Sequence, residues 1–482
     1  MDLTHLTLAE SFAKFTSWLN FGSVPQSVRE AARWHIVDAI GVSIAGAGPH
    51  EDSGKAARAL VEKWSVAHGA SVFGISGQCE ADKAALINGA LGQALEMDDK
   101  HGSSLARPGS TVTPAVLAVA ETRNQSIEDV ITAVTVGYEV MIRLGFVGGK
   151  RFLARGYHTS SLIGAFGAVC AIGNLLRLRP ETIMDALGIA GTFASGIQES
   201  TRTGSTSKIL HGGWGAHSGI IAVELAMAGI TGPASVFEGQ YGFFETHLTP
   251  IEGELDWRKA REGLGSCWYL PETAYKPYPC CQLLHAFIDA AKTMLIEFAR
   301  DGISVRDITA ISARLAEPGL TLVTDPIERK RIPAEPHEAR FSLPYTLAYA
   351  LLHGGVDLDT FRAERLRDPD VLRLAAIVEC GDDPESDYPL HCPALLEIQA
   401  KGKQYKLRAR FHPGSPEAPL SQSDVLDKFA RNTNWLFGDA ARDIAASLAA
   451  MSDRETMPAF VNRLRQRAVP FVGRAARSMA PS

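Results

Sequence analysis

Residues 210–228 read LHGGWGAHSGIIAVELAMA and predict a helix that the run from Gly229 to Pro233 ends. Four of the first ten positions are glycine, and the other six are Leu, His, Trp, Ala, His and Ser. Each glycine in a helix costs up to about 1 kcal/mol relative to alanine. A helix that keeps so many glycines is expected to pack its backbone very closely against its neighbours. This stretch therefore predicts the core of a compact helical domain.

The same pattern of helical spacing with small residues occurs through most of the first half of the chain. The further predicted helices are residues 25–47, 80–96, 127–147, 161–176 and 180–194. Together they predict a large all-helical domain.

The composition changes near Pro271. A helix is predicted at residues 283–298, strands at 308–316 and 394–411, and more helix around 344–353, with a further segment at 371–378. The second strand region reads as a hairpin around Lys401-Gly402-Lys403. Helices return at residues 425–429, 440–451 and 457–465, and we expect them to pack on the first domain because a lone helical tail has nothing to bury against.

We therefore predict a mainly α protein, in which both chain ends build the large helical domain and a smaller α+β domain forms a lid. The predicted boundaries are 1–268 and 413–482 for the two parts of the helical domain and 269–412 for the lid.

Composition sets limits on function. The chain has 482 residues, of which 46% are hydrophobic and 21% charged, so it can bury a sizeable core. Lys plus Arg is 48 and Asp plus Glu is 54, a net charge of −6, which excludes a broad nucleic-acid footprint. Seven cysteines in so long a chain are no disulfide framework, which favours a reducing compartment.

We expect neither a membrane span nor a signal peptide. Residues 161–176 are the most apolar stretch that we identify, and about 20 apolar residues are needed to cross a bilayer. Residues 1–15 carry early acids and lack the basic and apolar regions of a signal peptide. The expectation is a cytoplasmic protein without membrane partners.

Common cofactor motifs are missing from the sequence. There is no GxGxxG after a strand, no Walker loop, no HExxH and no CxxC. Cys280 and Cys281 are adjacent, which is poor geometry for two thiolates on one zinc ion. Residues 96–101, EMDDKH, lack the spacing of a calcium loop, and Lys100 would oppose a cation. We predict no cofactor and no metal.

Residues 94–111, ALEMDDKHGSSLARPGST, end a predicted helix with three acids. Acids at a helix C-terminus oppose the helix dipole, so the cluster is locally unfavourable. The segment is therefore either a solvated loop or part of a site.

Two further clusters lie among small-residue helices. In GYHTSSLIGAFGA, residues 156–168, His158 precedes a helix whose dipole lowers an imidazole pKa and favours a neutral base. In GSTSKILHGGWGAHSG, residues 204–219, Lys208 is placed to bind a carboxylate among glycines that allow close approach. The alternatives are a structural histidine and a lysine that extends to the surface.

Two clusters lie in the predicted lid. Residues 274–291 contain Lys276 and His285, and residues 333–351 contain His337, Arg340, Ser342 and Tyr345. Each has an ordinary alternative: a solvated lysine, a surface histidine, a core tyrosine with a bonded hydroxyl. Taken together, Arg107, Lys208 and Lys276 with one poised histidine and one tyrosine suit a small polycarboxylate and proton transfer at carbon.

These motifs resemble the MmgE/PrpD family, which includes 2-methylcitrate dehydratase, cis-aconitate decarboxylase and iminodisuccinate epimerase. The resemblance covers nearly the whole chain and rests on the segments ALEMDDKH, PAVLAVAE, GYHTSSLIGAFGA, GTFASGIQES, SKILHGGWGAHSGIIAVELAMAGITGP, YKPYPCCQLLHAFIDAA and HEARFSLPYTLAYALL. It implies a helical domain built from both chain ends with a smaller α+β lid, a homodimer, and no metal or iron–sulfur cluster.

The resemblance also implies site residues. The catalytic set is Glu96, His158, Lys208 and Tyr345, and the substrate-binding set is Lys100, Asp99, His101, Arg107 and Lys276, with Asp98 beside Glu96. Two positions depart from the family pattern. Arg107 stands where many members carry His, and Cys281 stands where the animal decarboxylase has His. Arg cannot shuttle protons but binds carboxylates, so one acid/base position becomes an anion-binding one.

All three family reactions move a proton at a carbon next to a carboxylate. We expect Arg107, Lys208 and Lys276 to neutralise the developing enediolate, His158 to act as base and Tyr345 to deliver a proton. The leading expectation is dehydration of a 2-methylcitrate-like polycarboxylate. The alternatives are a polycarboxylate epimerase, a cis-aconitate-type decarboxylase and, from another class, a non-catalytic polycarboxylate-binding protein.

Overall fold

The computed structural model describes residues 5–249, 253–388 and 390–467, and in it the protein is mainly helical. The outermost residues of the predicted helical domain and of the N-terminal segment, 1–4 and 468–482, lie outside the described residues. The longer helices of the first half are Leu8–Trp18, Gln26–Gly46, Asp52–Trp64, Ala81–Ala94, Val112–Thr122, Ile127–Ala154, Gly164–Leu175, Pro180–Phe193 and Leu210–Met227. Shorter ones are Thr159–Leu162, Glu199–Thr203, Phe243–Leu248 and Arg258–Arg261.

The second half mixes helices and strands. Its helices are His285–Asp301, Glu317–Val323, Ile327–Arg331, Pro336–Ala339, Leu343–His353 and Pro369–Ala376. The last three helices are Gln422–Phe437, Ala441–Ala449 and Met457–Arg467. The region predicted at 371–378 divides between the end of a helix and the start of a strand, Val378–Asp382.

The glycines of the helix Leu210–Met227 are explained by its crossing with the helix Ala81–Ala94. A β-carbon at Gly213 would overlap the carbonyl oxygen of Leu86, and one at Gly89 would lie 2.6 Å from the α-carbon of Gly213. The two backbones touch, so larger residues at these positions would push the helices apart. The close packing expected from the sequence is present.

One four-stranded sheet lies in the second half. Its strand order is Val378–Asp382, Ile308–Leu315, Ala394–Ala400 and Lys403–Ala409. The first pair is parallel and the other two are antiparallel. The predicted hairpin has a two-residue turn, Lys401 and Gly402, both with positive φ, and Lys403 already pairs with Ala400.

Two large hydrophobic cores, with a small third cluster around Val42 and Met97, organise the described residues. The larger core takes buried residues from Leu8 to Leu270 and again from Phe429 to Leu464, whereas the smaller takes residues from Tyr278 to Tyr405. Both chain ends therefore build the larger body, as predicted. The ring of Phe429 fills the space over Gly41, where a β-carbon would lie 2.6 Å from its Cδ2.

The larger body is mainly helical, as predicted, but it also contains strand Ser65–Ser71, which pairs with Gln78–Cys79. Lys100–His101 pairs with Thr273–Ala274, which lies beyond the predicted boundary at residue 268. These pairs were not predicted, because two-residue strands leave no periodic pattern in a sequence.

One long apolar helix was not recognised from the sequence as long enough to span a membrane. Ile127–Ala154 is long and apolar enough, by length and composition, to cross a bilayer, and 94% of its most apolar window is buried inside the protein. It packs chiefly against the helix Gly164–Leu175. A buried central helix of a large hydrophobic core can have the same length and apolar composition.

Candidate active site

The acidic segment after the helix Ala81–Ala94 is buried. Glu96, Asp98 and Asp99 are 1%, 4% and 2% exposed, so the solvated-loop alternative is wrong. Glu96 also has a φ of 56°, a conformation uncommon for residues other than glycine. Three buried carboxylates in one loop require cations or hydrogen-bond donors close by.

Cations from three separate segments pair with two of these acids. The Lys208 ammonium contacts Glu96 Oε1, and Arg107 Nη1 lies 3.5 Å from Glu96 Oε2. Lys276 Nζ lies 2.8 Å from Asp98 Oδ1. We call these five residues the ion-pair cluster.

Glu96, Asp98 and Arg107 of the ion-pair cluster all have pKa shifts that favour the charged form. Burial disfavours ionisation of Glu96 and Asp98, but Lys208, Arg107 and Lys276 outweigh it and hold the pKa of both carboxyls below the ordinary values. Burial opposes the charge of Arg107, yet Asp98 and Glu96 raise its pKa. Three cations against two carboxylates leave one positive charge, which favours an anionic ligand.

His158 lies beside this charge. Its backbone N–H donates to the carbonyl of Gly196 over 2.9 Å, immediately before the short helix Thr159–Leu162. The side chain is 2% exposed, and among the described residues neither ring nitrogen has a hydrogen-bond partner. Burial first, then Arg107 and Lys208, lower the pKa of His158 well below its ordinary value. The imidazole is therefore a neutral proton acceptor at physiological pH.

The ring of His211 lies tilted against that of His158, with 5.0 Å between the ring centroids. Burial, followed by Lys208 and Arg107, lowers the pKa of His211 to about 4. His211 also lines an apolar cavity of about 810 Å³ with Ser161 and Trp214. His211 therefore contacts both this cavity and His158.

Asp99 and His101 lie outside the ion-pair cluster, although the sequence assigned both to substrate binding. Asp99 accepts hydrogen bonds from Tyr138 Oη at 2.7 Å and the Gly109 backbone at 2.8 Å, and it contacts His35 Nδ1 at 2.8 Å. The Nδ1 atom of His101 lies 2.9 Å from Ser104 Oγ. Both side chains therefore have hydrogen-bonding partners within 3 Å.

Lys100 lies next to the ion-pair cluster. It lines a cavity of about 340 Å³ together with Gln282 and His412. Burial lowers the pKa of Lys100, and the neighbouring cations Arg107 and Lys276 lower it further. Lys100 therefore lines a cavity in surroundings that weaken its hold on the ammonium proton.

Tyr345 lies apart from the predicted catalytic residues. Its hydroxyl donates to the Thr360 carbonyl over 2.9 Å, and its ring packs near Tyr349 and Phe361 in the smaller core. Burial raises the pKa of Tyr345, and none of the charges that act on it belongs to the ion-pair cluster. The structure does not bring Tyr345 to the site, and the core-tyrosine alternative describes it.

Sequence reasoning missed the side-chain amide of Gln93, which hydrogen-bonds to three separate segments of the site. Gln93 Nε2 donates to Ser160 Oγ at 2.8 Å and to Asp98 Oδ2 at 3.3 Å, while its oxygen accepts from the Gly212 backbone at 3.0 Å. Ser110 also donates to Asp98, at 3.1 Å. The only sequence signal was a glutamine within an apolar helical stretch, one turn before the acids.

A buried lysine from the last third of the chain holds the segment that carries Glu96, Asp98 and Asp99, which we call the acidic loop. Lys428 donates to the Met97 carbonyl at 3.1 Å and pairs with Asp38 at 2.7 Å. Lys428 is fully buried and Asp38 is 4% exposed. The carbonyl between Glu96 and Asp98 is thereby fixed.

No group of three or more His, Cys, Asp or Glu residues in the described ranges is arranged to hold a metal ion. The site that these ranges do contain has a neutral imidazole beside paired cations. Such a site can bind a carboxylate and move a proton.

Comparisons with known proteins agree with the fold and the arrangement of these motifs. A model of the MmgE/PrpD N-terminal domain matches residues 10–254, and one of the MmgE/PrpD C-terminal domain matches residues 278–452. The chain is 26% identical over 438 residues to the "Cis-aconitate decarboxylase-like protein oryM" of Aspergillus oryzae, covering 87% of this chain and 89% of that protein. It is 29% identical over 423 residues to a cis-aconitate decarboxylase of Aspergillus terreus, covering 84% and 85%. It is 25% identical over 506 residues to the cis-aconitate decarboxylase of Mus musculus, covering 95% and 99%. The chain therefore belongs to the MmgE/PrpD family.

Proposed function

We propose that this protein is a lyase that needs no cofactor and acts on a small polycarboxylate, by moving a proton at the carbon next to a carboxylate. The observation that carries the proposal is His158, a buried neutral imidazole whose ring nitrogens have no partner in the described part of the chain, beside a cluster with one excess positive charge. The α-proton of a carboxylate is weakly acidic, so its removal needs cations that stabilise the negative charge developing on the oxygens. Arg107, Lys208 and Lys276 are the candidates for that role.

Dehydration of a 2-methylcitrate-like substrate is the leading reaction. A neutral imidazole accepts a proton more readily than it gives one, and abstraction of the α-proton begins an elimination. The excess charge of the cluster and the neighbouring Lys100 suit a substrate with at least two carboxylates.

Decarboxylation of a cis-aconitate-like substrate is the second candidate, because the relatives named above are cis-aconitate decarboxylases or resemble them. Arg107 favours an additional carboxylate to hold, which also suits an epimerase of a compound such as iminodisuccinate. We further propose a cytoplasmic homodimer with the larger body at residues 1–268 and 413–482 and the lid at 269–412.

Proton NMR in deuterated buffer with a chelator tests the proposal. Methylcitrates, cis-aconitate and iminodisuccinate are each incubated with the protein. For a methylcitrate, loss of the α-proton signal and conversion of the methyl doublet to a singlet on the new C=C bond support dehydration. Loss of CO₂ identifies the decarboxylase, and exchange with inverted configuration identifies the epimerase.

The variant His158→Ala separates catalysis from binding. We expect loss of α-proton exchange by at least 100-fold, because a general base contributes about 10²–10⁴-fold, while substrate binding persists. Unchanged turnover in this variant would contradict the assigned base. Binding without exchange in the wild-type protein would favour the non-catalytic reading.

A further inference from the structure

The smaller body contributes a buried histidine, His337, with a ring nitrogen that has no partner among the described residues. His337 lies on the short helix Pro336–Ala339 and is 9% exposed. Its Nε2 atom is buried and has no hydrogen-bond partner among the described residues. A buried polar nitrogen left unpaired costs free energy, and such groups often mark a binding site.

Phe341 connects His337 to the ion-pair cluster. The ring of Phe341 lies 5.4 Å from the His337 ring, and the Lys208 ammonium lies 5.3 Å from the centroid of the same Phe341 ring. Nearby, Arg340 Nη2 lies 3.3 Å from Glu51 Oε2, so this segment of the smaller body is tied to the larger one. His337 therefore approaches the Glu96–Lys208 pair from the side of the smaller body.

The charges around His337 differ from those around His158. Burial lowers the pKa of His337 to about 4, but Glu96 acts in the opposite direction, against Lys208, Arg340 and Lys330. The charged groups that act on His158 are cations or His211. At a pKa of about 4 His337 is neutral in the free protein at physiological pH, although Glu96 favours its protonation. The carboxylates of a bound substrate would raise this pKa, and the imidazolium forms in their presence.

We propose that His337 touches the substrate from the smaller body and donates a proton to the leaving hydroxide, while His158 removes the α-proton. This assignment rests on the proposed dehydration. It gives His337 the role that the sequence assigned to Tyr345, whose hydroxyl is already bonded to Thr360.

The step balances without a cofactor. His158 takes the α-proton, the C–H electron pair becomes the new C=C bond, and the C–O bond breaks. The departing hydroxide takes the proton of the His337 imidazolium and leaves as water. His158 ends protonated and His337 neutral, and one proton released to solvent with one taken up restores both.

The test separates removal of the α-proton from loss of hydroxide. In deuterated buffer, wild-type protein and His337→Asn are compared on the methylcitrate that the wild type dehydrates. We expect elimination to fall at least 100-fold in the variant, since a general acid contributes about 10²–10⁴-fold. Deuterium exchange at the α-carbon should fall less than about 3-fold, because His158 still removes and returns that proton.

A purely structural role for His337 would reduce both rates together. His337→Gln provides a second variant if His337→Asn does not fold, as judged by circular dichroism and thermal unfolding. His353→Asn is the matched control, because His353 is an exposed histidine of the same body, at the end of the helix Leu343–His353. It should match the wild type in both rates.

The outcomes distinguish this proposal from the proposed function. A wild-type protein that neither exchanges nor dehydrates any of the substrates overturns the proposed function, and this assignment with it. An active wild type with equal losses, or no loss, in His337→Asn overturns the role of His337 alone.

Discussion

Tyr345 belongs to a family motif, but its side chain lies away from the ion-pair cluster and His158. Its hydroxyl donates to Thr360, and its ring is surrounded by the smaller hydrophobic core. The Ser342 side chain caps the start of the same helix by accepting from the Tyr345 backbone at 3.1 Å. The segment FSLPY therefore has a structural explanation that needs no substrate.

Tyr345→Phe should leave catalysis nearly unchanged. The variant removes one buried hydrogen bond, so we expect the free energy of unfolding to fall by about 1 kcal/mol. Because no contact with the ion-pair cluster is lost, kcat and KM should stay within about 3-fold of the wild type. Steady-state kinetics and urea unfolding measure the two effects. A 100-fold loss of kcat would return Tyr345 to the catalytic set.

Among the elements, the helix Gln422–Phe437 does most to position the acidic loop. It packs on Gln26–Gly46 and brings Lys428 to both Asp38 and the Met97 carbonyl. The support therefore comes from a residue more than 300 positions away from the loop in sequence.

Lys428→Met should destabilise the protein by about 3–5 kcal/mol, because it leaves the Asp38 carboxylate buried without its cation. The double variant Lys428→Met with Asp38→Asn removes the unpaired charge, so it should recover part of that loss. Urea unfolding of the wild type, both single variants and the double variant gives the coupling energy. Additive effects would show that the two residues do not support each other.

Helices and strands with clear periodicity were predictable, and the rest was not, for identifiable reasons. The glycines of 210–228 indicated close backbone packing because glycine is costly in a helix, and the hairpin at 394–411 alternated clearly. The short strand Gln78–Cys79 has too few residues to show a period. Glu96, Lys208 and Lys276 were expected in one site and lie in one ion-pair cluster. The bonds of Asp99 to Tyr138 and His35 could not be predicted, because these partners come from other helices.

For the molecule as a whole, the buried ion pairs make the free energy of unfolding fall at acidic pH. Burial opposes the charge of Asp98, but Lys276, Arg107 and Lys208 hold its pKa below the ordinary value of 3.8. A carboxyl with a depressed pKa binds protons more weakly when folded than when unfolded, so it contributes stability above pH 3.8. That contribution is lost as the pH falls further, through the lower pKa of the folded state.

Asp98→Asn should weaken this acid dependence. The variant cannot titrate at position 98, so its unfolding free energy should fall less than that of the wild type between about pH 5 and pH 3. At pH 7 it should be less stable, because Lys276 loses its carboxylate partner. Urea unfolding across this pH range measures both. Parallel pH profiles for the two proteins would contradict the assigned role of Asp98.

The return of the chain into the larger core has a consequence for biosynthesis. Translation proceeds from the amino end, so every residue of the ion-pair cluster leaves the ribosome before Lys428 does. Until the helix Gln422–Phe437 emerges, Asp38 and the Met97 carbonyl lack the ammonium that joins them. All residues of the smaller core, Tyr278 to Tyr405, also precede Lys428 in the chain. The geometry of the acidic loop is therefore among the last features of the enzyme to form.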